Sequence, residues 1–184
     1  FIPKNIEDDS LQFICMARSV PHKNPEGVKR LMESCAKTTF KKVKLYSAFD
    51  LESNSLFEHI NIGGISHDEL QELYKSCHFN VLLSLDDAHR GYYEGFGLTV
   101  LEAAQYGTPS IVSPFGGLPE ACHNRKTGHV ISLNSHSMDN FFRSLDQKDY
   151  ERISEQAYLH THKSHSLDIY KKIFSKLILQ EIKV

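Results

Sequence analysis

Short, nearly continuous apolar runs alternate along this chain with longer stretches in which apolar residues recur every three or four positions. The runs at 11–16, 43–47, 61–65, 79–83, 110–113 and 129–132 read as strands, and runs this unbroken suit strands buried on both faces. Between them lie helical stretches. Asn24 stands as N-cap before Pro25, and Val28, Leu31, Met32 and Cys35 mark one helical face. Ser66 followed by Glu69 forms a capping box that opens a helix through Leu70, Leu73 and Tyr74 to Cys77. A helix over 98–106 ends at Gly107 as its C′ residue, and a short one spans 119–122. The C-terminal third is helical, with apolar periodicity over 138–145, 150–160 and 167–182. Strands alternating with helices of these lengths predict an α/β fold, a Rossmann-like parallel sheet sandwiched by helices. In such sheets ligands bind beyond the carboxyl ends of the strands, where Arg18, Ile65 and Glu94 are expected to converge.

Composition adds bounds. The 184 residues suffice for one domain with a core, and 40% hydrophobic with 24% charged residues is ordinary for a globular protein. A net charge of −2 argues against a nucleic-acid partner, which calls for a basic surface. No apolar run is long enough to span a bilayer, and no signal peptide is visible. Cys15, Cys35, Cys77 and Cys122 show no C-x-x-C spacing and read as reduced core thiols of a cytoplasmic protein. Of the eleven histidines, His160, His162 and His165 cluster, but no Cys or acidic ligand lies at a recognised spacing, so they read as exposed helix-end residues and no metal site is expected. The last predicted helix carries Tyr170, Ile173, Phe174, Leu177 and Ile178 on one face. Packing is the expected role of that face, with membrane-surface contact as the second reading.

The chemistry concentrates in Glu94-Gly95-Phe96-Gly97-Leu98-Thr99-Val100-Leu101-Glu102, where a predicted strand passes into a helix. Amides at a helix start are unpaired and partly positive, which suits phosphate, and glycine lets the backbone approach a ligand closely. Two carboxylates beside a phosphate cradle suit a ligand that is part phosphate and part polyol. A nucleotide sugar fits.

This stretch resembles the E-x7-E signature of retaining glycosyltransferases of the two-Rossmann (GT-B) architecture, the group 1 or GT4-like family. Ala104-Gln105-Tyr106-Gly107-Thr108-Pro109 resembles its A-x-x-G-x-P helix end, Gly116-Gly117-Leu118-Pro119-Glu120 its GGxxE loop, and Thr127-Gly128 the TG before its last strand. Met16-Ala17-Arg18 with Pro21-His22-Lys23-Asn24 resembles its phosphate-contact loop, with Ala17 where glycine is common. The resemblance covers residues 13–131 in order. It implies that this is the C-terminal, donor-binding half: residues 1–10 a residual interdomain linker, 11–184 the nucleotide-sugar domain, and the N-terminal acceptor domain absent. Such a half is expected to bind a donor and, alone, to transfer nothing.

By resemblance Arg18 and Lys23 stabilise the diphosphate leaving group and Glu94 hydrogen-bonds the donor sugar near the reacting centre. Glu102 grips the ribose, and the backbones of Ile65, Gly95, Phe96, Gly97, Leu98, Gly116 and Gly117 approach the donor. Asp86-Asp87-Ala88-His89 lacks D-x-D spacing, so a metal-independent transfer without cofactor is expected, with UDP the favoured carrier. The base, the sugar and the acceptor stay open. A non-catalytic nucleotide-sugar-binding or regulatory module and a GT-B epimerase are the alternatives. The 85–93 segment is longer than in most members and reads as a solvated loop, or as cleft lining that helps select sugar or acceptor.

Overall fold

Alternation along the first strand decides how the sheet is covered. In a computed structural model of the chain, which describes residues 4–52 and 54–181, β1 (Ser10–Cys15) points Leu11, Phe13 and Cys15 into one apolar cluster and Ile14 into another. Side chains two apart share a face, so a strand with apolar residues of both parities needs helices on both sides. It has them. The other strands are β2 (Lys42–Ser47), β3 (Glu58–Asn61), β4 (Phe79–Leu82), β5 (Ser110–Val112) and β6 (Gly128–Val130), in the order β3-β2-β1-β4-β5-β6. Every pairing is parallel, with Phe13 opposite both Leu45 and Phe79. The chain builds outward from β1 to β3, crosses back to β4 and builds outward again. The reversal between β1 and β4 leaves a crevice at their carboxyl ends.

The helices are α1 (Pro25–Thr39), α2 (His67–Ser76), α3 (Leu98–Ala104), α4 (Leu118–Ala121), α5 (Ser135–Arg143), α6 (Gln147–Ser164) and α7 (Leu167–Glu181). On one face α1 sets Val28, Leu31, Met32 and Cys35 against the sheet and against Met138, Phe141 and Phe142 of α5. On the other, Tyr74 and Cys77 from the α2 region meet Ala103 of α3 and Ile14 of β1. Truncating a fully buried side chain such as Leu31 costs about 2–5 kcal/mol. All four cysteines are free and buried, and burial pushes each thiol up to about 12.

The Rossmann-like α/β expectation holds, with local corrections. The third strand lies at Glu58–Asn61 instead of 61–65, because Gly63 and Gly64 turn the chain away from β2. The Asn61 side chain accepts the Gly63 N–H at 2.8 Å, and Gly64 takes a φ of +83°, so the turn begins where the strand was expected. Helices α5 and α6 start earlier than their apolar periodicity. Asn134 and Asp146 cap them, accepting from the amides of Ser137 and Asp149, and polar first turns leave no apolar trace. His160 is half-buried, its ring 4.8 Å from that of His123 and 5.3 Å from that of His165, whereas exposed helix-end histidines were expected. Tyr170, Ile173 and Phe174 are exposed on α7. Phe1 to Pro3, Ile182 and the side chains of Leu177 and Ile178 lie outside the described residues.

The segment 4–9, expected as a linker, lies against the sheet's amino edge. Ile6 is buried in the core, its N–H donates to Gln147 Oε1 at 2.8 Å, and Gln147 Nε2 donates to Lys4 C=O at 3.1 Å. Lys4 Nζ donates to Thr108 Oγ1, and burial lowers the Lys4 ammonium to about 8.

Candidate functional site

A cavity of about 510 Å³ opens at the carboxyl ends of β1 and β4, where the strand order reverses. Met16, Ala17, Arg18 and Lys23 form one wall, and Leu82, Glu94, Gly95, Phe96, Gly97, Leu98 and Thr99 form the other. Seven of the residues singled out in the sequence, separated by up to 80 positions, thus line one cavity: Arg18, Lys23, Glu94, Gly95, Phe96, Gly97 and Leu98.

At its centre, Lys23 Nζ forms a salt bridge with Glu94 Oε2, both side chains largely buried at 14% and 12% exposure. Ser84 Oγ donates to the same carboxylate oxygen at 3.2 Å, and the Ser84 carbonyl in turn accepts from Ser113 Oγ at 2.5 Å. Lys23 owes its place to its neighbour. Asn24 adopts a φ of 58°, a left-handed conformation that asparagine tolerates better than most residues. From there its Oδ1 caps α1 through the Gly27 N–H, and its Nδ2 donates to Leu83 C=O at 3.1 Å. One buried side chain therefore fixes both the start of α1 and the distance from the Lys23 turn to the end of β4. Arg18 is exposed, and its guanidinium makes no hydrogen bond or ion pair among the described residues.

The Glu94 turn is held from behind by Gly116 and Gly117. Gly117 N–H donates to Glu94 C=O at 2.9 Å. A Cβ at Gly116 would stand 2.3 Å from that oxygen, and one at Gly117 would stand 2.1 Å from Gly95 O. These glycines support the turn and do not line the cavity. At Gly97, the N-cap of α3, φ is +87° and a Cβ would meet Leu118 Cδ2 at 2.6 Å, whereas a Cβ at Gly95 meets nothing within 4 Å. Phe96 is partly buried, packs against the core and lines the cavity.

Glu102 and Ile65 lie off these walls. Glu102 is exposed on α3, where Tyr74 O–H donates to its Oε2 at 3.2 Å; burial, then the Glu102 charge, raises the Tyr74 hydroxyl pKa. Ile65 follows the Gly63–Gly64 turn and borders a separate cavity along α2 with Glu69, Glu72 and Leu73. Asp87, in the 85–93 segment, faces His89 at 3.5 Å and Arg90 at 3.8 Å. Ser84, Thr99 and the strut from Asn24 to Leu83 escaped the sequence reading. Thr99 Oγ1 is buried beside the cavity with no partner among the described residues. The signal for Ser84 was a hydroxyl directly after the apolar run Val81-Leu82-Leu83.

With this geometry in view, known proteins place the chain. A family model described as "Glycosyl transferases group 1" matches residues 51–160. A protein named probable sucrose-phosphate synthase, from Thermosipho melanesiensis, is 30% identical over 122 residues, 63% of this chain and 26% of its own length. A glycogen synthase of Mycobacterium tuberculosis is 43% identical over 67 residues, 36% of this chain and 14% of its own. Among solved structures, Anabaena HepE in complex with UDP and glucose superposes with a TM-score of 0.69 at 16% identity, covering 92% of this chain and 48% of that one. The C-terminal domain of the Francisella tularensis group 1 protein LpcC superposes with a TM-score of 0.66 at 16% identity, covering 86% of each chain. The structural likenesses concern the fold. This chain spans about a quarter or less of the curated relatives and about half of HepE.

Proposed function

The chain belongs to the group 1 glycosyltransferase family, and we propose that it is the donor-binding half of a retaining, metal-independent transferase that takes its sugar from a nucleoside diphosphate carrier, UDP by preference. The observation that carries this reading is the Lys23–Glu94 pair set beside the free Arg18 guanidinium in the crevice between β1 and β4. HepE, a neighbour in fold, is described in complex with UDP and glucose, which supports the choice of carrier.

Cleavage of the bond from the anomeric carbon to the diphosphate oxygen builds negative charge on the leaving group. Preorganised donors aimed at that charge lower the barrier. Lys23 has three N–H donors and uses one on Glu94, so it can hold the carboxylate and still donate to a phosphate oxygen. Arg18 supplies a planar fork for a second oxygen. Glu94, aligned by Ser84 and Lys23, accepts from sugar hydroxyls and orients the ring. With Tyr74 holding one Glu102 oxygen, the other is left for the ribose. The acceptor binds on a domain beyond this chain.

Calorimetric titration of UDP, GDP and ADP without added magnesium tests the reading. Binding of one of them, weakened by Arg18→Ala, supports it; binding of none refutes it. In the full-length protein, loss of transfer in Glu94→Ala with binding retained separates a transferase from a binding module.

A further inference from the structure

Lys23 sits on a three-residue 3₁₀ turn, Pro21–Lys23, none of whose residues is fully buried. The core therefore does not fix it directly. Asn24 anchors one side of the turn. The other side is met by the excursion the chain makes between Ser84 and Glu94.

That excursion is folded on itself. An antiparallel bridge joins Asp87 to Tyr92, and Gly91 takes a φ of +78° to close the bend. It touches the Lys23 turn twice. Leu85 N–H donates to His22 C=O at 2.8 Å, and the Tyr92 ring lies flat on the His22 imidazole, centroids 5.0 Å apart and 9° from parallel. Tyr92 is 53% exposed, so burial in the core does not account for its placement. His22 directly precedes Lys23, and Tyr92 stands two residues before Glu94. The stacked rings thus join the two backbones that carry the two ends of the central ion pair.

We propose that His22 and Tyr92 are positioning residues for nucleotide phosphate: their stack latches the Lys23 turn to the Glu94 strand end and holds the ammonium where the diphosphate arrives. The proposal rests on the donor reading above. A lysine on an unlatched turn keeps its charge but must lose more freedom on binding, and that loss appears as weaker affinity.

UDP titrations of the wild-type chain, Tyr92→Leu, Tyr92→Phe, Lys23→Met and the Tyr92→Leu/Lys23→Met double variant, each with a thermal melt, decide the matter. Tyr92→Leu is expected to bind UDP about two- to tenfold more weakly, the scale of one aromatic stack. Tyr92→Phe, which keeps the ring, should restore wild-type affinity. In the Lys23→Met background Tyr92→Leu should add nothing, because the latch acts through the ammonium. Wild-type affinity in Tyr92→Leu overturns the proposal and leaves the donor reading standing. So does a full further loss in the double variant, or a lowered melting temperature in Tyr92→Leu that Tyr92→Phe shares, since either marks a general structural role. Absence of UDP, GDP and ADP binding by the wild type removes the donor reading, and the latch with it.

Discussion

Gly117→Ala isolates the support behind the donor turn. The φ of Gly117 is −81°, a value any residue adopts, so alanine introduces no backbone strain there. Its effect is steric. The new Cβ would lie 2.1 Å from Gly95 O, 2.8 Å from Gly95 C and 3.0 Å from Phe96 Cα, all main-chain atoms that no rotamer change can move aside. Ordinary Cβ contacts begin at 3.4 Å and real ones essentially never fall under 3.0 Å, so the 94–97 turn must retreat by about 1 Å or the 116–117 loop must yield by as much. Overpacking of this kind costs about 1–3 kcal/mol. In a domain of this size that is a drop of roughly 2–12 °C in melting temperature. An effect on binding is expected as well, because a shift of about 1 Å takes groups of the 94–97 turn out of hydrogen-bond distance of a ligand. Gly95→Ala is the matched comparison: its Cβ meets nothing within 4 Å, so the fold should melt as wild type. Thermal melts and UDP titrations of both variants check the reasoning. Wild-type melting and affinity in Gly117→Ala would refute it.

Lys23→Ala removes a charge-assisted donor and should weaken UDP binding about 10- to 100-fold by calorimetry, with a smaller loss for Arg18→Ala at its exposed position. Asn24→Ala should destabilise by about 2–3 kcal/mol in denaturant melts, losing the α1 cap and placing alanine at a φ of 58°; Asn24→Gly relieves the second cost and should fall between. His129, half-buried against Phe141, has its pKa lowered to about 4, chiefly by desolvation. The unfolded chain then binds more protons than the folded one between pH 6.5 and 4. Stability should therefore be fully present above about pH 6.5 and fall on the order of 3 kcal/mol toward pH 4, with His129→Phe flattening that part of the curve. A wild-type melting temperature that is constant from pH 7 to 4.5 would count against this assignment.

What the sequence disclosed follows from where the physics is local. Apolar runs such as Val81 to Leu83 report burial on both faces, and Ser66 with Glu69 reports a cap, because each effect acts between near neighbours. The third strand was misplaced for the complementary reason. Glu58, His59, Ile60 and Asn61 alternate only weakly, and what makes them a strand is pairing with β2 at the sheet's edge. The polar first turns of α5 and α6 are likewise invisible to periodicity, which records only the face that meets the core.

The site divides the same way. Gly95, Gly97 and Glu94 are legible because strand, turn and helix follow one another in the chain. Gly116 and Gly117 carried a legible motif but a different job: they are excluded from side chains by the Glu94 and Gly95 carbonyls some twenty residues upstream, a contact that exists only once β4 and β5 are paired. Asn24 showed itself as a cap, while its second bond, to Leu83, depends on β1 and β4 lying side by side. Both hidden contacts act on the same quantity, the separation between the Lys23 turn and the Glu94 turn. That separation sets whether one ammonium can serve a carboxylate and a phosphate together, so residues with no atom on the cavity wall govern the chemistry of those that have.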